Sequence, residues 1–408
     1  MAISKLLRPY LVVFSAGLFF LFEFINMNSF DPLNADLRAA FHANALQISN
    51  LSAMYFYANV LFLIPAGLML DRISTKRLLQ IALILCILGN LLFASTHSFE
   101  LAKICRFIVG MGSTFCLLSI ALLISRWIEP RHAGFTMGLA VTMAMLGGTI
   151  AQQLPYIVSW LGSWRYAIVA IAVLGIVFLG IISLWVEDYP ADFKERHLHN
   201  LKLIEAGFFK NITLAFRNKQ VWFAGLYTSF INLTVMVIGA LWGAEYLQTV
   251  HGVSVTQSSF VVTLIFIGLI IGCPVFGLIS DWLGRRKLPM IIGGILNILT
   301  ILIIMNTTLS YHGLLLAFLL LGIFSSSQVL TYPLIMESAP SHIIASSESF
   351  SAVLIMGGGA VFQPLFGLIL DHSDFQHAML ILPVTFLIAT ILACFVKETY
   401  CKRLGASQ

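Results

Sequence analysis

Two ionisable residues stand alone inside long apolar runs: Glu23, between Phe22 and Phe24, and Arg106, ahead of Phe107 and Ile108. A charged side chain at the centre of a membrane-spanning helix costs roughly 2.5–3.5 kcal/mol on insertion scales, while each strongly apolar neighbour returns roughly 0.3–0.6 kcal/mol. Both segments therefore still insert, and such charges hold a proton, an ion or a charged group of a solute, or pair with each other. Glu23 is read as a proton-coupling acid and Arg106 as its partner and as an anchor for an anionic substrate group. Competition between proton and substrate for Arg106 would couple the two; the plainer reading is a structural ion pair. Glu245, near the end of another apolar run, is a candidate outer-gate acid. Asn26, Asn28, Tyr55, Tyr57, Gln152, Gln153, Tyr227, Asn232, Ser327, Gln328, Tyr332 and Gln363 are candidate cavity-lining groups, the plainer reading of each being an interhelical hydrogen bond.

The elements that carry these residues follow from composition. Of 408 residues, 59% are hydrophobic and only 10% charged, with a mean hydropathy of +0.94, which excludes a soluble domain. Twelve spans are expected, the first near residues 10–30 and the last near 376–396. If the N-terminus is cytoplasmic, all but Arg38, Lys103, Arg106 and Arg165 of the 23 Lys and Arg residues fall on that side. The positive-inside rule then puts both termini in the cytoplasm, with the bacterial inner membrane as the expected location. The basic pI of about 8.9 belongs to these loops and not to a nucleic-acid surface. Six scattered cysteines form no disulfide or zinc pattern, and the His197/His199 pair has no thiol or carboxylate spaced to complete a metal site. No cofactor and no enzyme motif is expected; the partners are a small-molecule substrate, a proton and the lipid bilayer, and the protein is expected to be monomeric.

The chain also repeats itself. Gly67-Leu-Met-Leu-Asp71-Arg72-Ile-Ser74-Thr-Lys76-Arg77 recurs 210 residues later as Gly277-Leu-Ile-Ser-Asp281-Trp-Leu-Gly284-Arg285-Arg286-Lys287, and the same offset carries Gly112 onto Gly322 and Gln153 onto Gln363. Duplicated halves are a common construction for two-sided solute carriers. The expected organisation is a six-helix bundle over 1–186, a cytoplasmic linker over 187–220 with an interfacial helix near Leu203 to Phe216, and a second bundle over 221–408.

The duplicated loop resembles the signature loop of the major facilitator superfamily. Arg106-Phe-Ile-Val-Gly110-Met-Gly112 and Trp164-Arg165 are similar to further elements of that family. The resemblance implies an all-α integral membrane protein, twelve transmembrane helices in two pseudo-symmetric six-helix bundles, working by alternating access. It implies a conformational latch as well, formed by Gly67, Asp71, Arg72, Gly277, Asp281 and Arg285, with each aspartate facing a helix N-terminus of the opposite half and each glycine permitting close helix approach. Ser74, where the family has glycine, departs from the pattern. The helix-five element of drug exporters is incomplete, since Ala151-Gln152 stands where Gly-Pro would follow. Proton-coupled uptake of a small polar or anionic solute, such as an amino acid, nucleoside or organic acid, is therefore the leading expectation. An exporter is the alternative, and a channel or a non-transporting sensor the rivals of another class.

Overall fold

The computed structural model describes residues 7–190, 208–306, 309–340 and 343–401. Every regular element among them is helical, and twelve helices are long and apolar enough to cross a membrane, from Arg8–Asn28 to Phe375–Phe395. The protein is an integral, multi-pass membrane protein, because such helices satisfy all their backbone polar groups internally and present apolar side chains outward. Leu184, Leu278 and Leu316 are among the many large apolar residues on the exposed faces.

Contacts divide the chain into two compact units, one of Met1–Met27 with Met54–Ala206 and the other of Asn28–Ala53 with Gly207–Gln408. The helix Ala45–Arg72 thus passes from one unit into the other. In the first unit, span four comprises two helical segments, Phe99–Ser113 and Phe115–Trp127, and presses Gly110 against span two. A Cβ at Gly110 would collide with the backbone of Tyr55, so this glycine sets how closely the two helices meet. In the second unit, span seven, Lys219–His251, opens as an α-helix and continues as a π-helix over Thr234–Trp242 before returning to α-helix at Gly243–His251.

The linker contributes the helix Phe208–Arg217. Its earlier part, with His197 and His199, lies outside the described residues. Two anomalies in the repeated loop have a local cause. Gly284 sits at φ +61° as the C-cap of Val255–Leu283, a conformation that favours glycine. Ser74, its counterpart, has φ −50° and instead caps the helix Thr75–Ser95, its hydroxyl accepting from Arg77 N at 3.3 Å.

Candidate functional site

Glu23 and Arg106 are both deeply buried in the first unit, at 4% and 3% exposure. Tyr55 connects them. Its hydroxyl donates to Glu23 Oε1 at 2.9 Å, and its ring lies beneath the Arg106 guanidinium at 4.9 Å from the centroid. Arg106 donates to the carbonyls of Asn26 at 2.8 Å and Met27 at 3.4 Å. These belong to the last turn of span one, where the helix dipole is negative. The direct Glu23–Arg106 pair expected from sequence is thus not formed: Tyr55 stands between them, its hydroxyl on the acid and its ring face against the guanidinium. The Asn26 side chain joins the same cluster, accepting from Asn90 at 2.7 Å. Chemically, the cluster offers a carboxylate inside a low-dielectric bundle, a fixed cation, and a hydroxyl between them.

The second unit buries carboxylates as well, Asp31 and the Oε1 atom of Glu348 on span eleven. Tyr227 is buried and donates to Met290 O at 2.7 Å, with Ser327 Oγ 2.8 Å away. Gln363 donates to Met236 O at 2.6 Å, on the π-helix. Asn34 donates to Leu241 O at 2.6 Å, and Asp31 accepts from Ala244 N at 2.9 Å. Glu245 forms an ion pair with Arg38, whose guanidinium also stands 6.0 Å from the Trp242 ring. With Asp371, these two line a cavity of about 430 Å³. Asp371 accepts from the backbone of Ala45 at 2.8 Å and Leu46 at 2.9 Å, capping the start of span two. Of the other candidates, Tyr57, Gln153, Asn232 and Gln328 are half-buried, and Tyr332 is exposed.

At the loop end of the second unit, Asp281 meets Arg286 at 2.6 Å, and Arg286 reaches Glu337 at 2.8 Å. Burial pulls the Arg286 pKa down, but its bonds to Glu337 and Asp281 outweigh that and hold it above the usual value. Arg286 is thus the anchor of this loop, while Arg285 is exposed. Arg72 is likewise exposed, and the side chain of Asp71 lies outside the described residues. Gly67 and Gly277 do not provide the expected close approach: a Cβ at either meets nothing within 4 Å. The tight contacts fall instead at positions such as Gly110 and Gly322.

Known proteins bear directly on this architecture. The Major Facilitator Superfamily model matches residues 13–361 and 233–403. The chain belongs to that superfamily. As a member, it is a secondary transporter and not an enzyme. It is 24% identical over 386 residues to the probable L-galactonate transporter of Escherichia coli K12, covering 88% of this chain and 83% of that protein. It is 22% identical over 250 residues to the hexuronate transporter of Bacillus subtilis 168, covering 60% of this chain and 57% of that protein. A crystal structure of a D-xylose–proton symporter superposes with a TM-score of 0.77 at 14% identity, covering 97% of this chain and all of that one. This likeness carries the twelve-helix transporter fold.

Sequence reasoning did not single out Asp31, Asn34, Asp188 or Glu398. The last two had a legible signal, since they are 210 residues apart. Asp188 accepts from Lys76 N at 2.8 Å, and Glu398 accepts from Arg286 N at 2.8 Å, so each caps the third helix of its half. Asp31 and Asn34 sit at a helix end, where sequence alone does not distinguish a loop residue from a buried one.

Proposed function

We propose that this protein is a proton-coupled importer of a small hydroxylated organic anion in a bacterial inner membrane, with both termini cytoplasmic. The observation that carries the reading is the buried set of Glu23, Tyr55 and Arg106. A carboxylate in a membrane bundle is kept at a cost in insertion, and a proton site is the use that its enclosure suits. The names of the relatives favour sugar-acid substrates, and Arg106 has the planar donor fork that suits a carboxylate. The xylose–proton symporter offers a precedent for coupling on this fold. Alternating access would exchange the two faces. The duplicated loops would then serve as the latch, with Arg286 holding Asp281 in position.

The decisive experiment uses purified protein in liposomes. Radiolabelled galactonate and hexuronates are screened by counterflow, and a hit is then tested for accumulation under an imposed pH gradient. Accumulation above equilibrium that an uncoupler collapses supports the reading. Downhill flux alone, insensitive to the pH gradient, would refute proton coupling.

A further inference from the structure

Residues 28–53, which join span one to span two, pack with the second unit, although the rest of those two spans lies in the first. The grip on this segment is polar and specific. On span seven, Ala244 N donates to Asp31 at 2.9 Å, Leu241 O accepts from Asn34 at 2.6 Å, and Glu245 pairs with Arg38. On span eleven, the two oxygens of Asp371 accept from Ala45 N at 2.8 Å and Leu46 N at 2.9 Å, and a Cβ at Gly367 would strike the Ser49 hydroxyl and the Ala45 carbonyl. The duplication does not account for this set. At the repeat offset, Asp31, Asn34 and Arg38 become Leu241, Ala244 and Gln248, and Asp371 becomes Leu161.

The segment leaves the first unit after Met27 and returns to it at Met54. One side chain holds both crossing points. Arg106 donates to the carbonyls of Asn26 at 2.8 Å and Met27 at 3.4 Å where the chain departs, and its guanidinium lies on the ring of Tyr55 where the chain comes back. Gly110, one turn further along span four, abuts the Tyr55 backbone, so a single helix carries both holds. Hinges are commonly a few residues at the ends of elements, and Asn26 and Met27 lie at the end of span one.

We propose that residues 28–53 form a clasp on spans seven and eleven whose hinge is Arg106, and that releasing either end releases the whole segment. Under the proposed topology the clasp lies at the outer face. Arg106 is here a positioning residue, acting through the carbonyls and the ring that it grips, and Glu23 touches the same hinge through the Tyr55 hydroxyl. Where Arg106 also receives the anionic group of the substrate, a carboxylate matches its fork better than two neutral carbonyls do, and substrate entry draws the hinge away. That last link rests on the function proposed above; the clasp does not.

Amide hydrogen–deuterium exchange of the purified full-length protein, followed by mass spectrometry, reads local opening directly. Arg106→Gln should raise exchange over residues 30–46 about tenfold, as expected for the loss of a charged donor, while Thr75–Ser95 in the first unit keeps its wild-type rate. Asp371→Ala should raise exchange over the same stretch by about fivefold, and not at Ala45 and Leu46 alone. Two variants, one in each unit, then loosen one segment. An effect of Asp371→Ala confined to Ala45 and Leu46 would reduce Asp371 to a local cap and overturn the clasp. Arg106→Gln overturns the hinge if it leaves 30–46 at the wild-type rate, or if it loosens Thr75–Ser95 as much. Should that variant not fold, Arg106→Lys replaces it: lysine lacks the fork that spans both carbonyls, and wild-type exchange over 30–46 again overturns the hinge. No substrate is needed, so the result separates from transport. A segment that loosens as expected in a protein that carries no organic anion upholds the clasp and sinks the proposed function, whereas proton-coupled uptake with 30–46 unmoved in the variants sinks the clasp alone.

Discussion

Glu23, Tyr55 and Arg106 in the first half have Leu233, Ile265 and Leu316 as their repeat counterparts, whereas Tyr227 in the second half answers to Gly17. The two units therefore share a scaffold and differ in chemistry. The first buries a carboxylate and a guanidinium. The second buries Asp31 and the Glu348 Oε1 atom among hydroxyls and amides, such as the Thr228–Thr331 pair at 2.6 Å and the Ser325–Asn297 bond at 2.9 Å. What the halves keep in common includes the caps at Asp188 and Glu398 and the repeated glycines Gly112 and Gly322, each hard against a neighbouring helix of its own unit. Duplication supplied a frame, and each half buries ionisable groups at positions of its own. In the first unit a buried acid and a guanidinium meet on one tyrosine, whereas Asp31 in the second accepts from the Ala244 backbone, and this difference makes a prediction about which substitutions respond to pH.

The strongest test is Glu23→Gln. Uphill accumulation should fall to the equilibrium level while counterflow persists within about threefold, because the amide is cheaper to bury and leaves no site to protonate. Continued accumulation with the original pH profile would mean that the asymmetry has no part in coupling. Arg106→Lys comes next. A point charge cannot reproduce the fork that reaches the carbonyls of Asn26 and Met27, so affinity for an anionic substrate should weaken about tenfold or more, measured by equilibrium binding. Unchanged affinity would reduce Arg106 to a cap on span one.

In the second unit, Tyr227→Phe leaves the buried Met290 carbonyl without its side-chain donor. A loss of about 1–3 kcal/mol of stability is expected, read as a lower melting temperature with no change in the pH profile of transport. A pH shift from this variant would show that Tyr227 also bears on a titrating group. The smallest effects belong to the shared caps. Asp188→Asn and Glu398→Gln should each cost about 1 kcal/mol, and by similar amounts, since each carboxylate meets the N-terminus of an equivalent helix. A large difference between their melting temperatures would show that the two ends are not equivalent after all.

The fold was largely legible in the sequence because membrane insertion leaves a strong imprint on it. Runs of about 20 apolar residues, basic loops and a fixed repeat offset are long-range signals that one substitution does not erase. Glu23 and Arg106 were legible for the same reason, as charges where apolar residues are the rule. Their connection was not. A tyrosine in an apolar run looks like any other interfacial or packing aromatic, and only the approach of span four to Tyr55 gives it two partners. The reason for Gly67 and Gly277 was misread because a glycine in a helix carries no mark of which neighbour comes near it. Arg286 was passed over for Arg285 because adjacent arginines differ by about 100° around a helix or turn, and the loop geometry decides which faces inward.

Span seven carries a last consequence, for how far parts of this protein can be exchanged. Its π-helical stretch closes its hydrogen bonds over one more residue than an α-helix does, and Gln363, Asn34 and Asp31 engage its carbonyls at Met236 and Leu241 and the Ala244 amide just beyond it. Instructions for its shape are therefore written partly outside it, at residues 28–34 and in span eleven. A chimera that borrowed residues 219–251 from a relative would import the letters without the grammar, and the transplanted helix would relax to the ordinary winding. Those three side chains have to travel with span seven for it to be a portable module.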